Sequence, residues 1–367
     1  MSPEPMPPGP APGPGGGAVA PLVLWQLDAV RGAAACYIAC AHLLRDPLEG
    51  LVPGVRILFG FGQEAVIAFF LLSGFVIHWS VAHKPGLRFG AYLRARAVRI
   101  YPLLVLTLLV AALVARGQNP PDVRASWPTF LGNLLMLQDA GFVKPGVWVE
   151  TYAGVLALWS LSYEWWFYML YFPLGTKLPP GAQARVVAAI SLSQALVYLW
   201  WPNQASRFLL YFCIWWAGVE FARAKIARQP PNLPALVVPV GTIALVALVL
   251  VCDAWRWHAA GHPLSLGTHP ILELRHFVAA LAIIGAVLLW RRVHWAGFKL
   301  FFGGFARIAP WSYALYLLHE PLGVHAHWLD FVSNLPLRAG LDILLVFLLA
   351  WLAERYVQSW SRRVFLP

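Results

Sequence analysis

Long apolar runs alternate with short polar connections along almost the whole chain. Most of these runs reach or approach the roughly 20 residues that a helix needs to cross about 30 Å of hydrocarbon. Ten runs stand out, namely residues 28–45, 61–81, 100–116, 155–175, 186–202, 206–223, 234–252, 273–290, 308–326 and 338–355. A shorter stretch, 130–137, follows Pro128 and is predicted to be interfacial or re-entrant. The pattern predicts an all-α integral membrane protein with about ten transmembrane helices in one bundle.

Basic residues between the runs predict how the bundle is oriented. If the N-terminus lies inside and successive runs alternate in direction, 18 of the 27 Lys and Arg fall on the inside. The other 9 fall outside, and this two-to-one excess agrees with the positive-inside rule. Both termini are therefore predicted to be cytoplasmic.

Composition supports the lipid bilayer as the partner of this chain. It is 60% hydrophobic and 12% charged, whereas a soluble domain usually carries about 25% charged residues. The 19 Trp and 12 Tyr fit membrane interfaces, which favour amphipathic rings. A net charge of +11 would also suit nucleic acid, but the Lys and Arg lie between apolar runs, where bilayer topology explains them better. We expect a multi-pass protein of the cell inner (plasma) membrane and no nucleic-acid partner, and the sequence does not indicate an oligomeric state.

Two regions differ in composition. Residues 1–21 are rich in Pro, Gly and Ala and contain no Lys or Arg, so they lack the basic start of a signal peptide. They are predicted to form a disordered tail. Residues 22–363 are predicted to form one transmembrane domain, in which the first apolar run is retained as a membrane span.

Cysteine and histidine spacings do not indicate a disulfide scaffold or a metal site. Cys36 and Cys40 are four residues apart in an apolar run, so they share a helix face and are predicted to pack as small hydrophobic side chains. His258, His262 and His269 have no third acidic or Cys ligand at a diagnostic position. We therefore predict an exposed loop there and no bound metal.

The first span contains charged and polar residues that hydrocarbon disfavours. A charge deep in the bilayer costs about 2.5–3.5 kcal/mol on insertion scales, so each charged residue there needs a structural or functional explanation. Asp28 and Arg31 are three residues apart and can pair, while Arg31 and His42 share a face about 16 Å apart. Either Arg31 snorkels and His42 only packs, or both belong to a functional site.

The second span places Glu64 at the bilayer level of His42. Its carboxylate either orients the imidazole or is simply an interfacial residue. Further along this span, Ser73 and Gly74 are predicted to permit close helix packing.

Three arginines precede the third span. Arg96 and Arg99 share a helix face, and Arg94 lies close by. The group is either a cytoplasmic anchor or a clamp for phosphates, which guanidinium groups bind in a bidentate manner. Such phosphates would belong to a cytoplasmic donor such as an acyl-coenzyme A.

Polar residues recur on one face of the fourth span. Ser160, Glu164 and Tyr168 follow an i, i+4, i+8 spacing, which predicts a stripe that faces the bundle or a watery cavity. The alternative is plain interhelical hydrogen bonding. In the ninth span, His319 and Glu320 lie toward the outer third and Pro321 is expected to loosen the helix.

Taken together, these stretches resemble the acyltransferase-3 family of integral membrane O-acyltransferases. The resemblance runs in order from about Leu27 to Arg363. It rests on residues 27–32 with His42 (Arg-x10-His), residues 69–75, Arg96-x-x-Arg99 with residues 100–102, residues 159–168, and residues 313–319. One departure is Trp165-Trp166, where the family often has Glu-Gln, so a second polar contact is in doubt. Many relatives also carry an extracytoplasmic hydrolase-like domain, which this sequence lacks, so the membrane domain or another protein is expected to handle the acceptor.

The resemblance implies an acyl-coenzyme A donor, acetyl-coenzyme A first among them, on the cytoplasmic side. It implies a hydroxylated carbohydrate or glycolipid acceptor on the outer side. The residues expected to matter are His42, Glu164 and Ser160 in catalysis, Arg31, Arg96 and Arg99 in donor binding, and Glu64, Tyr168 and His319 in substrate positioning.

Our mechanistic hypothesis makes His42 the general base, because an imidazole pKa lies near working pH. A covalent acyl-His or acyl-Ser intermediate is a further option. Two other classes of function fit the pattern: a transporter of a lipid-linked sugar or small solute, and a structural or regulatory membrane protein. A transporter would be expected to show inverted repeats, and the sequence shows none.

Overall fold

The computed structural model describes residues 21–117, 124–227 and 233–366. The predicted disordered tail, 1–21, lies outside these ranges except for residue 21. The first helices are α1 Pro21–Glu49, α2 Gly62–Ala82, α3 Phe89–Arg116 and α4 Trp127–Leu134. Two-residue strands β1 Gln138–Asp139 and β2 Val149–Glu150 follow and pair in parallel.

The remaining described elements are all helical. They comprise α5 Leu158–Lys177, α6 Pro180–Trp200, α7 Gln204–Ile226, α8 Leu233–Ala259, α9 Ile271–Arg292, α10 Phe298–Phe302, α11 Ser312–His319, α12 Leu335–Ala353 and α13 Ser359–Phe365. Short 3₁₀ turns occur at Val55–Phe59, Tyr152–Gly154, Gly303–Arg307 and Ala309–Trp311. A π-helical turn, Glu320–Val324, continues α11, and a second one, Glu354–Gln358, joins α12 to α13.

A helix occurs at each of the ten predicted apolar runs, which confirms the all-α class. Among the described residues, seven helical segments are long and apolar enough to cross a membrane. They are Trp25–Glu49, Val55–Ala82, Phe89–Arg116, Pro180–Trp200, Leu236–Ala259, Ile271–Arg292 and Leu335–Phe365. The count of ten crossings and the cytoplasmic termini stay predictions.

The three predicted spans outside this set correspond to α5, α7 and α11. Helix α7 is buried along nearly its whole length and carries Arg207 and Glu220, so it packs against protein rather than lipid. Helix α11 is only 8 residues long before the chain enters the π-helical turn. Interior helices can carry polar side chains because neighbouring helices supply the hydrogen-bond partners.

Glycines let α2 and α7 cross closely at the centre of the molecule. A Cβ on Gly74 would lie 2.0 Å from the carbonyl oxygen of Trp215, and one on Gly218 would lie 2.0 Å from the carbonyl oxygen of Leu71. Both sites can be occupied only by a residue without a side chain, which confirms the close packing predicted at Gly74. Ser73 has a different role, described below.

A third glycine brings α1 against the 3₁₀ turn at Gly303–Arg307. A Cβ on Gly32 would lie 2.0 Å from the carbonyl oxygen of Phe305. Backbone on both sides of this contact leaves no flexible side chain to move aside. Gly32 follows Arg31 directly, so this contact fixes the position of that arginine.

The region between α3 and α5 is held by buried charges. Asp139 binds Lys144 (Oδ1 to Nζ, 2.9 Å) and Arg207 of α7 (Oδ2 to Nε, 3.1 Å), and all three side chains are fully buried. Tyr163 donates a hydrogen bond of 2.7 Å to Oδ2 of Asp139. Burial alone would raise the pKa of Asp139, but the two cations and this hydrogen bond outweigh it and lower the pKa.

The cysteine and histidine predictions are partly confirmed. All four cysteines are free thiols. His258 and His262 are exposed as predicted, although His258 still belongs to α8; His269 is buried and contacts Tyr198 and Glu273, so the prediction of an exposed loop is wrong for His269. Its neighbours offer polar partners that compensate for burial.

Candidate active site

A cavity of about 170 Å³ lies between α1, α2, α3, α5 and α11. Six of the nine predicted site residues line it, namely Arg31, Arg96, Arg99, Ser160, Glu164 and Tyr168. Apolar side chains of α2, including Phe69, Leu72 and Val76, form much of the remaining wall. His42, Glu64 and His319 do not line this cavity.

The three arginines of the cavity differ in their partners. Arg31 pairs with Asp28 at 2.8 Å, as predicted from their spacing. Arg99 pairs with Glu354 and lies over the ring of Tyr313, 5.0 Å from its centroid. Arg99 is therefore largely neutralised by a residue near the end of α12.

Arg96 differs from the other two because no carboxylate among the described residues pairs with it. Its guanidinium lies over the rings of Tyr92 and Tyr168, 5.8 and 5.9 Å from the centroids. Its Nε atom is buried without a hydrogen-bond partner. The rings hold the guanidinium in place while its positive charge remains available to a ligand.

Glu164 is held by hydroxyl groups of two helices. Ser73 donates a hydrogen bond of 2.8 Å to its Oε1, and Tyr168 donates a second one. Trp215 in turn donates to the Ser73 hydroxyl at 3.1 Å. The carboxylate therefore has a fixed orientation in the cavity wall.

Ser160 connects α5 to α11. Its hydroxyl lies 2.8 Å from the hydroxyl of Tyr316, which donates at 3.0 Å to the carbonyl oxygen of Ala157. Because the Tyr316 proton is used there, Ser160 donates to Tyr316. The predicted stripe of Ser160, Glu164 and Tyr168 thus faces the interior of the bundle.

The structure explains the departure from the family pattern at Trp165-Trp166. Trp165 packs edge-on against Tyr101, and Trp166 donates a hydrogen bond of 2.9 Å to the carbonyl oxygen of Met136. Neither residue lines the cavity. At these two positions the chain therefore has one ring contact and one hydrogen bond to backbone, both outside the cavity.

His42 belongs to a second cluster, beyond Tyr316. The His42 and His319 ring centroids are 5.2 Å apart, and Nδ1 of His42 lies 3.6 Å from Oε1 of Glu320. His319 and Glu320 are buried, and the His319 ring lies 6.1 Å from that of Tyr316. Tyr316 lines the cavity, so it stands between the arginines and the histidines.

Glu64 is held elsewhere. It pairs with Arg275 of α9, whose guanidinium also donates at 3.0 Å to the carbonyl oxygen of Gly60. This contact ties the beginning of α2 to α9. The carboxylate that lies beside His42 is Glu320, so the orienting contact considered for Glu64 is made by another residue.

Sequence reasoning noted Tyr316 and Glu320 but did not place them in the site. The spacing of Ser312, Tyr316 and His319 on one face of α11 is a helical signal that could have identified Tyr316. Glu320 had no such signal, because it reaches His42 only where the helix changes to a π-helical turn.

The two clusters suit a reaction that joins an anionic ligand to a hydroxyl. A guanidinium can bind phosphate or a polarised carbonyl oxygen, and an imidazole can take a proton near neutral pH. Donor atoms of His42, His319 and Glu320 also lie within 4.8 Å of one another, a set that matches common zinc ligands.

Comparison with known proteins gives two matches. A family model described as an acyltransferase domain, acyltransferase-3, matches residues 24–355. The acyltransferase MdmB of Streptomyces mycarofaciens is 27% identical over 317 residues, which cover 78% of this chain and 74% of that protein. No solved structure matches significantly.

Proposed function

The chain belongs to the acyltransferase-3 family and is an acyltransferase, and we propose that it transfers an acyl group from a cytoplasmic acyl-coenzyme A to a hydroxyl of an extracytoplasmic carbohydrate or glycolipid. The acyl group is most simply acetyl. The protein is a multi-pass membrane protein, and we propose the inner (plasma) membrane as its location.

Arg96 carries this proposal. A partly buried guanidinium without a carboxylate partner among the described residues favours an anion or a polarised oxygen as its ligand. The thioester carbonyl of an acyl-coenzyme A supplies such an oxygen. Arg99 and Arg31 lie in the same cavity and add positive potential.

Cavity size supports a small reacting group. At about 170 Å³ the cavity is smaller than the 300–1,000 Å³ of pockets that hold drug-sized ligands. It has room for the acyl thioester end of the donor, and the nucleotide would remain outside. The apolar wall formed by Phe69 and Leu72 suits a short acyl chain.

His42 acts as the general base in this proposal. It takes the proton of the acceptor hydroxyl while the oxygen bonds to the thioester carbonyl carbon. The bond from that carbon to sulfur breaks, and the imidazolium returns the proton to the coenzyme A thiolate. A positioned base contributes about 10²–10⁴ in rate.

Ser160, Tyr316 and Glu164 position the reactants between the two clusters. The Ser160–Tyr316 contact lies where the cavity meets the histidines, so the hydroxyl pair is close to the place at which the acyl group must pass. Glu164 and Tyr168 fix the opposite wall beside Arg96.

Mass spectrometry of cell-envelope glycans tests donor and acceptor together. Cells with the gene should show glycans heavier by one acyl group than cells without it, and the mass difference identifies the group. Purified protein in liposomes should then move label from acetyl-coenzyme A to the acceptor identified. Labelled donor that is neither bound nor consumed would contradict the proposal.

A His42→Ala variant tests the base. It should lose transfer by at least about 10²-fold while it inserts and binds donor normally, because only proton removal is affected. Wild-type turnover by this variant would refute the role of His42.

A further inference from the structure

We propose that Glu320 is the positioning residue for the base: its carboxylate holds the His42 ring with Nδ1–H toward Glu320 and leaves Nε2 free to take the proton of the acceptor hydroxyl. This inference rests on the proposed function. It assigns Glu320 a role that neither the sequence motifs nor the cavity indicated.

One oxygen of the Glu320 carboxylate is hydrogen-bonded to backbone, and the other faces His42. Oε2 accepts a hydrogen bond of 2.8 Å from the backbone N–H of Ala157, and Oε1 lies 3.6 Å from Nδ1 of His42. Ala157 is the residue that caps the N-terminus of α5. The partial positive charge of a helix N-terminus favours the ionised form of a carboxylate that is bound there.

An ionised carboxylate determines the tautomer of its partner. Since it can only accept hydrogen bonds, the ring nitrogen that faces it must carry the proton. Nδ1 of His42 is therefore the donor, and Nε2 holds the lone pair that a base needs. The distance of 3.6 Å is long for a hydrogen bond, but such contacts often shorten when substrate binds.

His319 is a weaker acceptor for this role than Glu320, because hydrogen bonds to a carboxylate are stronger than those to a neutral nitrogen. Nδ1 of His319 lies 2.7 Å from the carbonyl oxygen of Tyr316, and since a carbonyl only accepts, this nitrogen carries the proton. Its Nε2 is buried without a partner among the described residues and offers a neutral lone pair, whereas Glu320 offers a carboxylate oxygen. Arg45, whose charge also acts on His42, can only donate hydrogen bonds and so cannot accept one from Nδ1.

The π-helical turn explains how consecutive residues both reach His42. In a regular α-helix, neighbouring side chains point about 100° apart around the axis. Here the helix changes to the wider turn at Glu320–Val324, and Gly323 packs against Leu43, which follows His42. A Cβ at Gly323 would lie 2.5 Å from a methyl group of Leu43, so the glycine permits this approach to α1.

Glu320→Gln tests the positioning role. The amide keeps the size of the side chain, and its oxygen can still accept from Ala157. Its NH₂ group would then face Nδ1 of His42, donate to it, and force the proton onto Nε2, which removes the base. We expect kcat for transfer in liposomes to fall about 10²–10⁴-fold, with the KM for acyl-coenzyme A within twofold of wild type.

Two further variants separate positioning from folding. Glu320→Asp retains a carboxylate and should keep more activity than Glu320→Gln, although it removes a methylene group. Glu220→Gln alters a buried glutamate of α7 that binds Trp216 and Arg223, outside both clusters, and should leave kcat unchanged. Equal thermal stability of Glu320→Gln and wild type would show that the fold is intact.

Three outcomes would overturn the inference. One is a Glu320→Gln variant as active as wild type, and another is a raised KM with unchanged kcat. The third is stoichiometric metal in the purified protein, lost to a chelator together with activity, since this would make the cluster a metal centre. If wild type itself transfers no acyl group, the proposed function fails and the inference falls with it.

Discussion

At the scale of single residues, the partners of the three cavity arginines determine what the cavity can bind. Asp28 balances Arg31 and Glu354 balances Arg99, which leaves the charge of Arg96 without a counterion among the described residues. Tyr92 and Tyr168 hold its guanidinium between their rings without neutralising it. An arginine in such surroundings favours a planar or multiply charged anion over a compact one.

Arg96→Ala should weaken donor binding. Loss of charge-assisted hydrogen bonds costs about 1.5–3 kcal/mol, or roughly ten- to hundredfold in the Kd of acyl-coenzyme A, measurable by calorimetry in detergent. Arg94→Ala is the matched control, because Arg94 lies exposed on the same helix and carries the same charge. Equal losses in both variants would show that net charge, and not the cavity, determines affinity.

At the scale of elements, the crossing of α2 and α7 positions the wall of the cavity. Gly74 and Gly218 allow the two backbones to touch, and next to Gly74 the Ser73 hydroxyl links Trp215 of α7 to Glu164 of α5. One crossing therefore sets the distance between three helices. The orientation of Glu164 depends on it, although neither glycine contacts the cavity.

Gly74→Ala should destabilise the protein and disturb the cavity together. The new methyl group would meet the Trp215 carbonyl oxygen at 2.0 Å, and such overpacking costs about 1–3 kcal/mol or more. Thermal unfolding in detergent should show a lower Tm. Gly241→Ala in α8 is the control, since nothing lies within 4 Å of its Cβ, and it should be neutral or stabilising. An unchanged Tm for Gly74→Ala would mean that the crossing is loose.

At the scale of the whole molecule, buried ion pairs join the region between α3 and α5 to the bundle. Asp139 is the acidic centre of this contact, with Lys144 on one side and Arg207 of α7 on the other. Removing one partner from such a group leaves charges buried without compensation. The attachment of this region to the bundle therefore depends on the charge of Asp139.

Asp139→Asn should cost about 3–5 kcal/mol of stability. Acid should likewise lower the stability of the wild-type protein. The pKa of Asp139 is lowered in the folded state. Its contribution to folding stability is therefore complete above its unfolded-state pKa of about 3.9 and is lost as the pH falls through its folded-state pKa. Unfolding temperatures measured from pH 7 to pH 3 should therefore fall more steeply for wild type than for Asp139→Asn. Parallel pH curves would contradict this.

Membrane orientation can be tested with single cysteines. In a background with the four native cysteines replaced by Ser, Ser265→Cys should react with an impermeant maleimide added to intact cells, and Lys84→Cys should react only after lysis. Both positions are exposed, and the positive-inside pattern places them outside and inside, respectively. Labelling of Lys84→Cys in intact cells would show that the predicted number of crossings before it is wrong.

Long apolar runs predicted the helices well, because contact with lipid leaves a long and simple signal in the sequence. It was less informative for α5, α7 and α11, whose polar residues bind other helices instead of facing lipid. Spacing on one helix face predicted the stripe of Ser160, Glu164 and Tyr168 and the pair of Arg31 and Asp28. Contacts across the chain, such as those of Arg99 with Glu354, leave no local pattern and needed the structure.

Gly32 has a consequence for natural variation in this protein. Helix α1 carries Arg31 at one end of the proposed reaction path and His42 at the other, and the helix is seated by the contact of Gly32 with the Phe305 carbonyl. Any side chain at position 32 would tilt or shift this rigid rod and misalign both ends at once. A methyl group far from either reacting atom would then abolish activity, although every side chain of the site would still be present.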